Sequence, residues 1–312
     1  MGEQRWEGET PNLSVALQEQ GISETYARRD RLISKMLQDR GVVRIISAPH
    51  GFGKSALAHE YAERLFDGRT VVFIEGDSPA FLQFLDGRAG PGHACYEADV
   101  ALVVVDGLPY LDEVRSDALS RVVDRLLYAG KEVVVTTTPS CDCLRSSQPQ
   151  RILLHANDML VDERECLPRD AKSSAEERAK GAQMWRRACG RLLGRVPAVF
   201  WGNGPSAQEE TLDGFFRENL PIELFKSAFG MLLLGRGGME DLDVLGVGLR
   251  AENERLLVND YPFFDFDSVK REFVVPTYRF EILRQAIEKN GLADSLLKES
   301  GLDRKSTRLN SS

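Results

Sequence analysis

Between residues 41 and 162 the chain alternates short apolar runs with helical periods, and after that the alternation stops. Five runs read as strands: "VVRIIS" (42–47), "TVVFIE" (70–75), "VALVVVD" (100–106), "EVVVTTT" (132–138) and "RILLH" (151–155). The central ones are continuous β-branched runs that do not alternate with polar residues. Parallel strands covered on both faces have that pattern. Between them lie the helical stretches "KSALAHEYAERLF", "PAFLQFLDG" and "SDALSRVVDRLLYAG". In the last, Leu119, Val122, Val123, Leu126 and Leu127 share one face, and Gly130 closes the helix. Repeated strand–helix units predict an α/β fold with a five-stranded, mostly parallel, doubly wound sheet over residues 22–162. Ligands of such sheets sit beyond the carboxyl ends of the strands.

The remaining segments are of other kinds. Residues 1–21 are expected to be a leader. Residues 163–214 predict a helical lid: one helix within "SSAEERAKGAQMWRRACGRLLGRVPAVFWG", a Gly-Arg-Val-Pro corner, and then the turn-rich "NGPSAQEETLDG". Residues 215–286 predict a winged-helix-like domain. Its parts are a helix in "LPIELFKSAFGMLLL", a turn at "GRGGMEDL", a helix to about Leu257, and a hairpin followed by a helix in "FFDFDSVKREFVVPTYRFEILRQAI". Residues 287–302 begin a further region. The last ten residues, "DRKSTRLNSS" (303–312), change character abruptly and match the in-frame translation of a sequencing adapter. The natural chain is accordingly expected to continue past Leu302.

Composition narrows the partners. With 312 residues, 42% hydrophobic and 28% charged, the chain can bury more than one core. Its net charge of -8 and pI of about 5.3 provide no general electrostatic footprint for nucleic acid. The candidate second helix of the winged-helix region is itself acidic, with Glu240, Asp241, Asp243, Glu252 and Glu254 against Arg250 and Arg255. Such a helix repels phosphates, so the region is expected to pack against protein and not to read DNA. No run of eighteen apolar residues and no signal-type segment occurs in the sequence, so no membrane partner and a cytoplasmic location are expected. The five cysteines are odd in number and irregularly spaced, as free thiols would be. Cys141 and Cys143 stand too close for a zinc pair, and no second pair accompanies them.

The chemistry concentrates in "APHGFGKS" (48–55), between a strand and a helix. Gly51 and Gly53 allow backbone N–H groups to turn inward around a phosphate. The helix starting near Lys54 adds free N–H groups and the positive end of its dipole. Lys54 can reach the β- and γ-phosphates, and the Ser55 hydroxyl can ligate Mg²⁺. Ala48 replaces the first glycine of the GxxxxGK[ST] motif, at a position that only begins the loop. His50, Gly51, Phe52, Gly53, Lys54, Ser55 and Ala56 are therefore the nucleotide-binding candidates. The strand "VALVVVD" ends in Asp106, which would hold Mg²⁺ with Ser55, and Lys54 and Asp106 are the candidate catalytic pair. The next position, where many such ATPases carry a water-activating carboxylate, is Gly107. Asp112 and Glu113 lie too far along to replace it. ATP or ADP with Mg²⁺ is the expected ligand set, and hydrolysis is expected to be slow or to serve a switch.

"ISAPHGFGKSALA", "LVVVDGLPYL", the strand ending "TTTP", the corner "GRVPAVF" and the winged-helix-like region come in the order found in STAND proteins, signal-transduction ATPases with numerous domains. The chain resembles most the nucleotide-binding region of the large LuxR-type bacterial regulators, over residues 22 to 285. The resemblance implies nucleotide contacts from Arg28 and Leu32 in "YARRDRLISKML", and from Pro197 at the Gly194-Arg195-Val196-Pro197 corner. That corner is one residue longer than the family's. Where the family often has an arginine phosphate sensor this chain has Thr136-Thr137-Thr138, so only a hydroxyl could sense there. The resemblance further implies a closed ADP form, opening by ATP and an unknown inducer, self-association when ATP is bound, and DNA contact only through a C-terminal domain absent from this chain. Two alternatives stay open at this stage. One is a constitutive ATP-dependent enzyme such as a remodelling ATPase or small-molecule kinase, and the other is a scaffold that binds no nucleotide.

Overall fold

The computed structural model describes residues 4–6, 29–66, 68–85, 94–139, 141, 144, 150–162, 165, 195–196, 222–262, 264–267 and 269–275. The chain divides into two compact units, Met1–Met159 and Leu160–Ser312.

The first unit is built on a sheet with strands β1 (Gln4–Trp6), β2 (Val43–Ser47), β3 (Thr70–Glu75), β4 (Val100–Leu108), β5 (Glu132–Thr137) and β6 (Arg151–His155). Their order is β1-β3-β4-β5-β2-β6. The five from β2 to β6 are mutually parallel, as the valine-rich runs predict. Two differences from the sequence reading matter. β1 falls in the expected leader, yet it pairs antiparallel with β3 along Val71–Phe73 and extends the sheet edge. β4 does not stop at Asp106 but runs to Leu108 across an irregularity in its register with β5 between Val105 and Leu108.

The helices of this unit are α1 (Asp30–Met36), α2 (Lys54–Leu65), α3 (Pro79–Leu85), α4 (Glu113–Tyr128) and α5 (Ala156–Met159). One sheet face is closed by α3 and α4: Val43, Ile45, Val72, Ile74, Val103, Val105, Val133 and Val135 form one buried cluster with Phe81, Phe84, Leu119, Val122, Val123 and Leu126. Leu127, expected on the same stripe, packs against that cluster while only partly buried. Gly130 at φ +74° closes α4 in the left-handed turn that a side chain would strain. The opposite face carries the alternate residues and belongs to α2, as the stacking of His59 on Phe73 at 4.3 Å between ring centroids demonstrates. This parity decides which side chains meet the loop before α2.

Charged side chains fasten α1 to the sheet and to α2. The buried Glu60 carboxylate accepts from Arg29 N at 3.1 Å and pairs with Arg64 at 2.6 Å. Arg29 donates from Nη2 to Met159 O at 2.8 Å, and Lys35 pairs with Asp158 at 3.0 Å. Arg44, inside the apolar run of β2, is 1% exposed. It donates to Met36 O and Asp39 O at 2.7 Å and to Val42 O at 3.1 Å, and it pairs with Glu132. It thereby satisfies carbonyls at the end of α1 that the helix leaves without partners.

In the second unit, α6 (Ile222–Leu234), β9 (Arg236–Gly238), α7 (Met239–Val244), α8 (Ala251–Asn259), β10 (Asp265–Asp267) and β11 (Glu272–Val274) follow one another, the strands forming an antiparallel sheet in the order β10-β11-β9. A separate pair joins β7 (Val161–Asp162) to β8 (Arg195–Val196), antiparallel. The expected turn at "GRGGMEDL" is instead a strand and a helix. Gly237 and Gly238 pair with Phe273 and Glu272, and Asp241 Oδ2 accepts from Gly238 N at 2.7 Å at the head of α7. The helix expected to reach Leu257 is divided, because Gly246 at φ +74° ends α7 before α8 begins.

Candidate functional site

The loop after β2 leaves the sheet at Ala48, which is fully buried and donates to Thr137 O at 3.1 Å. A small side chain fits there, so the missing glycine costs the loop nothing. Gly51 at φ +77° and Gly53 at φ +79° take the left-handed backbone that turns the loop, and Gly53 is the residue from which α2 starts. Phe52, expected near the nucleotide, is wholly buried, so only its backbone can serve a ligand and its ring anchors the loop. Ala56 is likewise buried in the first turn of α2, while His50 stands exposed on the loop.

Lys54, only 9% exposed, donates from Nζ to Pro49 O at 3.0 Å across the loop. The Ser55 hydroxyl donates to Asp106 Oδ1 at 3.0 Å, and the Thr136 hydroxyl donates to the same oxygen. Gly107 N donates to Thr136 Oγ1 at 2.8 Å. β5, which carries Thr136, lies between β2 and β4. The threonine therefore stands between the phosphate loop and Asp106 and holds the carboxylate toward Ser55. A hydroxyl and a carboxylate in contact are the hard oxygen donors that suit Mg²⁺, which keeps most of its waters and takes few protein ligands. Among the described residues no group of three histidines, cysteines or acids forms a preorganised metal cage.

Gly107 is more than a missing carboxylate. Its φ is +72°, so an L side chain there would be strained, and the backbone irregularity of β4 is built on that conformation. Asp112 caps α4, accepting from Arg115 N at 2.8 Å, and is occupied far along the chain as expected. Sequence reading missed Gly76, whose N donates to Asp106 O at 2.8 Å. A Cβ at Gly76 would lie 2.4 Å from Gly107 O, so β3 and β4 touch closely at this level. Its signal, a lone glycine after a strand, has many other causes. Leu32 is buried in α1. Arg28 and Pro197 lie outside the described residues.

Two histidines respond to this environment. His50, although its ring reaches solvent, is partly desolvated against the loop, which lowers its pKa, and the Lys54 charge lowers it further. Burial also lowers that of His59, against an opposing pull from Asp106. A neutral histidine favoured by the fold contributes stability that is complete above its ordinary value of about 6.5 and lost as pH falls through the lowered one. The melting temperature is thus expected to drop as pH falls below about 6.5, and His59→Phe, which keeps the stack on Phe73, is expected to shallow that drop. Melting curves across this range check it, and an unaltered slope in the variant contradicts it.

No family model and no curated protein matches the chain. Among solved structures it is similar to the Walker-type ATPase paby2304 of Pyrococcus abyssi, with 12% identity, 83% of this chain and 96% of that one covered, and a TM-score of 0.42. It is also similar to PH0952 from Pyrococcus horikoshii, a STAND protein with a tetratricopeptide repeat sensor, at 12% identity and a TM-score of 0.33, covering 84% of this chain and 43% of that one. C. elegans PCH-2 matches at 16% identity and a TM-score of 0.28, with 39% of each chain covered. The chain thus spans less than half the length of the last two. The α/β fold of a P-loop nucleoside triphosphatase is established by the parallel strand order, the left-handed glycines before α2 and the Ser55–Asp106 contact.

Proposed function

We propose that this chain is the ATP/ADP-binding switch module of a STAND-type, signal-responsive transcriptional regulator, with slow or inducer-dependent hydrolysis. The observation that carries the reading is the Asp106 carboxylate held by the hydroxyls of Ser55 and Thr136 at the head of α2. Backbone N–H groups of residues 51–55 and the Lys54 ammonium take the phosphates, and Ser55 with Asp106 would hold Mg²⁺, which neutralises phosphate charge when bound. Gly107 supports the slow character, since its backbone conformation resists the usual acidic residue. The helix–strand–helix–helix–strand–strand order of the second unit supports its reading as a winged-helix-like partner of the nucleotide unit. Its acidic α7 supports a protein-packing role over DNA reading. No described helix is long and apolar enough to cross a membrane. γ-Phosphate and Mg²⁺ contacts would bias a two-state arrangement, with self-association in the ATP state.

Calorimetric titration of the chain with ADP, and with ATP in the presence and absence of Mg²⁺, tests this. Saturable binding of both is expected, with the Mg²⁺ dependence for ATP largely lost in Asp106→Asn. No binding of either nucleotide at millimolar concentration would refute the reading.

A further inference from the structure

With Gly107 unable to supply it, hydrolysis needs a water-activating carboxylate from elsewhere, on the α2 face of the sheet and at the level of Asp106. The register provides one. Glu75, the last residue of β3, is the lateral partner of Asp106 on β4. Paired residues of neighbouring strands lie about 5 Å apart and point to the same face. That face is α2's: Phe73, two residues earlier in β3, stacks on His59 of α2, whereas Val72 and Ile74 enter the cluster beneath α3 and α4. Glu75 is exposed, and among the described residues its carboxylate has no hydrogen-bond or ion-pair partner.

Its backbone, by contrast, is fixed. Glu75 O accepts from Ser78 N at 3.1 Å and from Ser78 Oγ at 2.6 Å. The neighbouring Gly76 is clasped to Asp106 O and leaves no room for a Cβ against Gly107. A tightly positioned backbone thus presents an unpartnered carboxylate beside Asp106, the aspartate that would hold Mg²⁺. Asp77, the next acid along, lies beyond Gly76 in the turn and outside the paired register.

Resting on the nucleotide reading above, we propose that Glu75 is the general base for ATP hydrolysis. Its carboxylate takes a proton from the attacking water as the water oxygen bonds to the γ-phosphorus. The bond from that phosphorus to the β–γ bridging oxygen breaks, and ADP leaves with the electron pair. General-base catalysis of this kind is worth on the order of a hundredfold or more.

The test is single-turnover phosphate release with protein in excess over ATP and Mg²⁺, read beside affinity for a fluorescent ATP analogue and beside the nucleotide recovered from the protein. Glu75→Gln is expected to bind ATP within about twofold of wild type, to release phosphate about a hundredfold more slowly, and to be recovered carrying ATP where wild type carries ADP. Asp77→Asn is expected to match wild type in all three. Wild-type phosphate release in Glu75→Gln, or ATP binding by wild type without any turnover, overturns the assignment while leaving nucleotide binding intact. Failure of wild type to bind ATP overturns the nucleotide reading, and this assignment with it.

Discussion

Lys54→Ala is expected to weaken ADP binding by about a hundredfold, which corresponds to about 3 kcal/mol, the upper range for a hydrogen bond to a charged group. The ammonium is mostly buried and already lies across the loop, on Pro49 O at 3.0 Å. A bound phosphate exchanges that carbonyl for an anionic oxygen, so the lysine needs little reordering to act. Lys54→Arg is expected to rescue little, because a planar fork cannot occupy a pocket shaped for a compact point charge. Calorimetry with ADP measures the loss directly. Thermal unfolding measures it by a second route: ligand at a hundred times its dissociation constant stabilises by about 2.7 kcal/mol, and that increment should nearly vanish in the variant. Unchanged ADP affinity would leave the loop without its assigned role.

Arg44→Ala is expected to destabilise the first unit by about 4 kcal/mol, because it strands several groups at once. Three carbonyls, of Met36, Asp39 and Val42, lose their donor, and Glu132 loses its counter-charge. The guanidinium also lies 5.3 Å above the ring centroid of Tyr61, whose hydroxyl donates to Glu132 at 3.3 Å. Burial raises the Tyr61 pKa above the ordinary phenol value, with Arg44 opposing and Glu132 adding to the shift. The phenol therefore stays protonated as a donor throughout the neutral range. Glu132, 21% exposed, can recover some solvation when its partner is gone, so Glu132→Gln is expected to cost less, about 1 to 2 kcal/mol. Urea unfolding gives both numbers as midpoint shifts at constant m. A shift below about 1 kcal/mol for Arg44→Ala would mean that the carbonyls find other donors.

The central strands were legible because Val103–Val105 and Val133–Val135 are buried on both faces, which leaves no polar alternation to mislead. Their order was not legible, and order is what brings Thr136 to Asp106. The hydroxyls of residues 136–138 could be identified as the polar end of a strand, but only insertion of β5 between β2 and β4 decides which one meets the carboxylate. The loop motif was readable as a local pattern, and Gly51 and Gly53 take the left-handed backbone expected of it. That the Phe52 ring is buried, leaving only its backbone to face a ligand, was not legible, because sequence position does not reveal which way a ring turns. β1 escaped notice because "QRW" has no periodicity of its own and exists as a strand only by pairing with β3. β9 escaped for the opposite reason: its glycines signal a turn, and the partner strand β11 overrides them.

The fastening of α1 also determines how the protein can be cut. A fragment opening at β2 would retain every residue of the phosphate loop and look self-sufficient on paper. It would also lose the Arg29 amide that donates to the Glu60 carboxylate, a group fully enclosed in the whole chain. It would lose as well the carbonyls of Met36 and Asp39, on which the Arg44 guanidinium rests. The excisable nucleotide-binding piece therefore begins upstream of Arg29, well ahead of the motif that identifies it.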